Sequence, residues 1–268
     1  VKKGFTSGQI AIALAFLIFL FFATYIFYAA ADRKLTNAYK AYKKGEAAAT
    51  VDERESAFNA SLQGYLELQQ EYAPTMGTGK LAYNIANAYF QLGEYPFAVL
   101  YYNRALSLRP GDKTIRLNLR AARKKLGIKE EAAASPFEDA LFFHTYFSLP
   151  RRLQLFFLFA IAGFGLLAWQ IWFEKNLKIF AIIAFSLAAL MALSVLYSRY
   201  VVPSEAIVTK AALLRRDAGK EYAPVSENPV APGSKVQVQG ASEEGGWLKI
   251  STSDGTVGYL PGSSLQVI

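Results

Sequence analysis

The chain has 268 residues, a formal net charge of +8, 53% hydrophobic and 19% charged residues, and no cysteine. A soluble domain of ordinary composition carries about 45–50% apolar and about 25% charged residues, so part of this chain belongs in lipid. The absence of cysteine excludes disulfides, iron–sulfur clusters, thiolate zinc sites and a cysteine nucleophile, and the single His144 removes most imidazole metal and acid–base chemistry. No HExxH, GxSxG or paired-carboxylate pattern occurs, so the expectation is a binding protein without enzyme activity, metal or cofactor.

Three uncharged apolar runs, at 10–31, 153–173 and 179–197, account for the excess. Each approaches the roughly 20 residues that cross about 30 Å of hydrocarbon as a helix. The first follows Lys2 and Lys3 and ends at Ala29-Ala30-Ala31, so it reads as a signal anchor or as a cleavable signal peptide. Its length, beyond the usual 7–15 residues of a signal core, favours the anchor. The second and third runs are joined by Glu174-Lys175-Asn176-Leu177-Lys178 and form a tight hairpin. Two crossings return the chain to its starting side, so the segments before and after the hairpin share one compartment. Basic residues flank both sides (Lys2, Lys3, Lys175 and Lys178 against Arg33, Lys34, Arg151, Arg152 and Arg199), and the N-terminal lysines favour export. Ala184, Ala188 and Ala192 on the third run, with Ala160 and Gly163 on the second, offer small faces for close helix approach; ordinary alanine filler is the alternative.

Residues 32–134 show helical periodicity and no strand alternation. Apolar faces recur through Leu35, Ala38, Tyr39 and Tyr42; Phe58, Ser61, Leu62, Tyr65 and Tyr72; Leu81, Ile85, Ala88, Tyr89 and Leu92; Ala98, Tyr102, Ala105 and Leu106; and Ile115, Leu119, Ala122 and Leu126. Gly45, Pro74, Gly93 and Pro110-Gly111 punctuate them. The stretch LAYNIANAYFQLGEYPFAVLYYNRALSLRP at 81–110 resembles a tetratricopeptide repeat. Alanines at 86, 98 and 105 let helices cross closely, tyrosines 89 and 102 fill the space between, Gly93 makes the turn and Pro110 stops the second helix. Ala82 stands where the family favours tryptophan. A divergent helical pair at 35–74 and a closing helix at 113–126 supply the neighbours such a repeat needs. The resemblance implies a concave partner-binding groove lined by Lys80, Tyr83, Asn84, Asn87, Phe90 and Gln91, with Asn118 from the closing helix. The same residues equally suit the solvated side of a packed helix. Lys113, Arg116, Arg120, Arg123 and Lys124 give the closing helix a basic face, which next to a membrane suits solvent or anionic lipid rather than nucleic acid.

Residues 135–152 read as an interfacial helix, with Ser135, Pro136 and Glu138 as its capping signals, Phe137, Leu141, Phe142 and Phe147 as its greasy face, and His144 as an ordinary interfacial side chain. After it come the crossings at 153–173 and 179–198, and then a module at 203–268. There, strand candidates at 207–209, 236–239, 247–250, 257–260 and 265–268 are separated by Pro232-Gly233, Gly245-Gly246, Asp254-Gly255 and Pro261-Gly262, which predicts a small five-stranded barrel. The run LLRRDAG, PGSKVQVQG, GGWLKIS, SDG and VGYLPGSSLQVI resembles a bacterial SH3-like domain, a non-catalytic binder of cell-wall peptides or proteins. The residues nominated for its ligand face are Arg215, Arg216, Asp217, Trp247 and Tyr259; Trp247 as a core residue is the alternative. Two decoys fall away. Gly77-Thr78-Gly79-Lys80 lacks the first glycine and the Ser/Thr of a phosphate loop, and Asn59-Ala60-Ser61 places a glycosylation sequon inside a helix.

The expected fold class is thus a multidomain membrane protein with an all-α tetratricopeptide-like array, transmembrane helices and a small all-β SH3-like barrel. That order, with anchor 1–31 ahead of repeats 32–134, resembles the BatE-type proteins of bacterial aerotolerance operons. Most of the likeness is carried by GKLAYNIANAYFQLGEYPFAVLYYNRALSLRPGDKTIRLNLRAARKKLG. It implies a scaffold in the bacterial inner membrane, with its modules on the periplasmic side. Its partners would be membrane-bound von Willebrand A-domain proteins and a MoxR-type ATPase in envelope or oxidative stress. The alternative function is a peptidoglycan-binding adaptor that recruits a cell-wall hydrolase or synthase.

Overall fold

The computed structural model describes residues 7–72, 79–128, 146–173, 176–242 and 245–268. They form helices α1 (Ser7–Ala47), α2 (Val51–Tyr72), α3 (Lys80–Gln91), α4 (Tyr95–Leu108), α5 (Lys113–Lys125), α6 (Leu149–Phe173) and α7 (Lys178–Tyr200). Strands β1 (Ser204–Val208), β2 (Lys235–Ala241), β3 (Trp247–Ser251), β4 (Val257–Pro261) and β5 (Leu265–Val267) follow, with a 3₁₀ turn at Gly262–Ser264. The expected interfacial helix, with Ser135, Phe142 and His144, lies outside the described residues apart from its last few positions. The chain divides into two compact units, Val1–Met76 and Gly77–Ile268.

In the first unit α1 runs unbroken from the apolar N-terminal run through Leu35 and Tyr42, where the sequence suggests a separate helix. α2 packs antiparallel on its C-terminal half: Lys34 pairs with Glu71, Gly64 meets Ala38 and Gly45 meets Phe58. Gly45 does not end α1. It sits within the helix, where a Cβ would come 2.9 Å from the Phe58 ring, so its bareness admits the aromatic. Phe58, Ser61, Tyr65, Leu68 and Tyr72 are the buried stripe of α2, and Thr50 caps it by accepting from the Glu53 N–H. Tyr39, expected on the buried face of α1, is exposed.

The second unit begins with α3, α4 and α5, stacked in succession. Ile85, Ala86, Ala88, Ala98, Val99, Leu100 and Ala105 are fully buried and Tyr102 nearly so, as the alanine-and-tyrosine pattern requires. Gly93 turns the chain with φ +79, a conformation that a side chain would strain. Asp112 caps α5 by accepting from the Thr114 and Ile115 N–H groups at 3.0 and 3.2 Å.

Helices α6 and α7 form an antiparallel hairpin. Both are long and apolar enough to cross a membrane, with mean hydropathies of 1.9 and 2.7 over their most apolar stretches. Their exterior carries the large side chains, including Phe157, Ile161, Phe164, Ile182 and Leu193, all exposed. Their seam carries Gly163, Ala181, Ala184, Ala188, Met191 and Ser194. The expected four-residue alanine spacing does not hold throughout. Met191, not Ala192, continues the seam, because alternating steps of three and four residues stay on one line while repeated steps of four drift around the helix. A Cβ on Gly163 would lie 2.9 Å from the Phe185 ring.

The five strands form an antiparallel sheet in the order β4-β3-β2-β1-β5. Ala206, Val208, Leu214, Val236, Ile250, Leu260 and Leu265 make its core. Each strand expected from the sequence is present, but the expected closed barrel is not: β4 and β5 are opposite edges and do not pair with each other. Each edge is instead covered locally. Arg215, from the β1–β2 connection, exchanges two backbone hydrogen bonds with Tyr259 on β4, at 3.0 and 2.8 Å. On β5 the Val267 carbonyl accepts from Arg104 Nη2 and Nε at 2.7 and 3.2 Å.

Candidate functional site

The face of α3 nominated as a groove divides into two sets. Asn87, Asn118 and Tyr83 are tied to one another and to the core. Asn87 Oδ1 accepts from Tyr102 Oη at 2.6 Å and from Asn118 Nδ2 at 3.2 Å, while Asn118 Nδ2 also reaches Tyr83 Oη at 3.2 Å. One amide oxygen thus links α3, α4 and α5. These three residues set the angle between helices, and a partner competing for Asn87 Oδ1 would have to break that network. Lys80 and Gln91 are exposed and Asn84 is half-buried, at positions from which a ligand can be met. Phe90 is half-buried and meets Tyr95 edge-on at 5.4 Å.

Behind this face runs an aromatic stack. Tyr89 lies against Phe97 and Tyr101 at 5.1 and 5.5 Å, and the Arg104 guanidinium sits 5.0 Å over Tyr101. Burial pushes the Tyr89 hydroxyl up to about 12 and raises Tyr101 as well. Arg104 then bonds Val267, so the stack ends on the sheet. A second contact joins the modules. Gly233, with φ +86, lies where a Cβ would strike Leu126 and Ile128 beyond α5. Nothing in the sequence pairs residues 104 and 267, so periodicity alone does not expose this joint.

In the sheet, strand alternation puts Ile250 and Leu260 into the core and Trp247 and Tyr259 on the other face. The register pairs Trp247 with Pro261 and Lys249 with Tyr259, which makes the two half-buried aromatics diagonal neighbours. Trp247 is therefore not a core residue. Arg215 is half-buried and its guanidinium donates to the Tyr222 carbonyl, whereas Arg216 and Asp217 are exposed. Gly258 explains the glycine of the GYL run: a Cβ there would lie 2.6 Å from the Arg215 carbonyl oxygen. At the β3–β4 turn Asp254 accepts from the Thr252 hydroxyl and the Thr256 N–H, which holds its carboxyl below the usual range.

Residues 80–112 match the tetratricopeptide repeat family. The match covers α3, α4 and the turn after them, the stretch in which the sequence pattern is clearest. Repeats of this kind are protein-interaction modules, built by stacking helix pairs into a surface rather than by enclosing a reactive centre. No curated protein matches the chain. Among the described residues there is no group of three acidic or histidine side chains placed to hold a metal ion.

Sequence reasoning misses two basic sites near the hairpin. Arg152 is buried in the α6–α7 seam, its Nη1 donating to the Ser194 carbonyl at 3.0 Å and to the Ser194 and Ser198 hydroxyls at 2.8 Å each. Arg109 pairs through Nη2 with Asp112 Oδ2 at 2.8 Å beside a cleft of about 430 Å³ that Arg151 also lines. The only sequence signal is the Arg151-Arg152 pair ahead of an apolar run, which reads as a simple membrane flank.

Proposed function

We propose that this chain is a non-catalytic, membrane-anchored scaffold that holds a protein partner on its tetratricopeptide repeat. The observation that carries the reading is the joining, within one compact unit, of a matched repeat to a hairpin with bulky apolar side chains outside and small ones at its seam. That arrangement suits lipid outside and a helix contact inside. The hairpin returns the chain to the side it left, and the Arg104–Val267 contact supports a common compartment for the repeat and the sheet. With α1 as an additional anchor and export favoured by Lys2 and Lys3, that compartment is the periplasmic side of a bacterial inner membrane. The likeness to BatE-type aerotolerance proteins supplies the partner class: von Willebrand A-domain membrane proteins working with a MoxR-type ATPase under envelope or oxidative stress.

Lys80, Asn84, Phe90 and Gln91 are the partner-contacting set, with Asn87, Asn118 and Tyr83 as the frame that orients them. Exchange of Lys80 and Asn84 for alanine in the full chain abolishes partner capture from envelope extracts while leaving the thermal transition in place. Undiminished capture by that double variant would sink the groove.

A second reading rests on Trp247 and Tyr259 lying together off the core. If the sheet is an SH3-like module that grips peptidoglycan, full-length protein sediments with purified cell wall, and Trp247→Ala with Tyr259→Ala releases it. The scaffold reading predicts no sedimentation by either protein.

A further inference from the structure

The cleft beside Arg109 lies between the α4–α5 turn and the start of α6, lined by Arg109, Pro110, Asp112, Tyr146, Ser148 and Arg151 among others. Its volume, about 430 Å³, falls within the range of small-ligand sites. The carboxylate of Asp112 is fully engaged: Oδ1 takes two N–H groups of α5 and Oδ2 takes Arg109. Asp112 thereby fixes the Arg109 guanidinium against the cleft and offsets one of its two positive charges. Of the adjacent arginines on α6, Arg152 is turned into the seam and held by Ser194 and Ser198, whereas Arg151 is exposed and lines the cleft. Among the described residues that line it, two guanidinium groups against one engaged carboxylate leave the cleft with a positive excess. The N-terminal end of the 25-residue α6, which favours negative charge, adds to it.

Arg151 stands two residues before Leu153, where the uncharged apolar run begins. Exposed Tyr146 lines the same cleft, an amphipathic ring suited to a membrane boundary. We propose that this cleft is a headgroup site for an anionic phospholipid, with Arg109 and Arg151 converging on its phosphate. Guanidinium forks match phosphate oxygens in pairs, and the cleft has room for the group esterified to that phosphate. The inference rests on the proposed membrane insertion of the α6–α7 hairpin, which places the cleft at headgroup depth.

The test uses the full chain in nanodiscs of equimolar phosphatidylcholine and phosphatidylglycerol, with retained lipid counted by native mass spectrometry after transfer to detergent. Wild type retains phosphatidylglycerol in preference. Arg109→Gln with Arg151→Gln lowers that preference about tenfold, while Lys220→Gln, on an exposed loop outside the cleft's lining, keeps it. Arg151→Gln alone, which spares the Asp112 pair, lowers it by several-fold and serves if the double variant misfolds. Unchanged preference in Arg151→Gln overturns the proposal. Full displacement of the lipid by inorganic phosphate assigns the cleft to a free anion and overturns it as well. Failure of the protein to enter nanodiscs at all, with release by alkaline carbonate, overturns the membrane reading itself and is seen before any lipid is counted.

Discussion

The α3–α5 repeat and the α6–α7 hairpin are both antiparallel helix packings, and they turn opposite kinds of side chain outward. The repeat buries Ile85, Leu100, Tyr102 and Ile115 and turns Lys80, Gln91 and Arg120 outward. The hairpin buries Gly163, Ala184, Ala188, Arg152 and Ser194 and turns phenylalanines and isoleucines outward. In water the gain comes from removing large apolar surface, roughly 25 cal/mol per Å². Between helices already in lipid that gain disappears, and close backbone approach and interhelical hydrogen bonds have to replace it. Each packing also holds a buried arginine: Arg123 on α5, which the sequence pattern puts on the basic outer face, and Arg152 in the hairpin seam, where the Ser194 and Ser198 hydroxyls meet it.

Substitutions test this contrast in descending order of effect. Ile85→Ala removes a fully buried side chain from the repeat and costs about 2–5 kcal/mol in chemical denaturation, enough to lower the helical signal at ambient temperature. Arg152→Leu is the hairpin counterpart. It makes the sequence more apolar yet loosens the α6–α7 contact by about 1–2 kcal/mol, through loss of the bonds to Ser194 and Ser198. Cross-linking between cysteines introduced on α6 and α7 reports this cleanly, because the chain has none of its own. If Arg152→Leu instead tightens the hairpin, apolar burial governs there too and the contrast fails. Tyr102→Phe keeps the ring in the repeat's packing and deletes the hydroxyl's bond to Asn87, at about 1 kcal/mol, visible as a modest fall in the denaturation midpoint.

The last test has no effect at neutral pH. Burial raises Tyr65 and Tyr89 from 10.0 to about 12, so the folded chain keeps protons that an unfolded chain has already released. Their contribution is whole below pH 10 and is lost as pH climbs from 10 towards 12. An absorbance titration should show tyrosinate appearing together with loss of helix, and Tyr89→Phe should shift that loss to higher pH.

What the sequence discloses follows the physics of each element. The repeat is legible because Ala86, Gly93, Ala98, Ala105 and Pro110 each meet a local backbone or packing demand that few other residue types satisfy. The strands are legible because Asp254-Gly255 and Pro261-Gly262 break alternating apolar runs. The open sheet is not, because β4 and β5 are covered by Arg215 and Arg104, residues remote in sequence whose backbone or side-chain reach leaves no periodic trace. The nominated face of α3 is half legible. Spacing puts Tyr83, Asn84, Asn87 and Asn118 on one surface, but which asparagine a neighbouring tyrosine will claim depends on side-chain geometry across 15 residues. Arg152 is the hardest case, since its neighbour Arg151 has the same composition, the same flank and a different fate.

Helix α1 has a mechanical consequence. Its 41 residues form one shaft about 60 Å long, with the apolar run at one end and the α2 contact at the other. A continuous hydrogen-bonded helix resists torsion, so turning the apolar end turns the α2-bearing end in phase. Adding one residue near Arg33 would rotate one end against the other by about 100° and lengthen the shaft by only about 1.5 Å. Angular register along α1, more than its reach, therefore fixes which way the α2 face points.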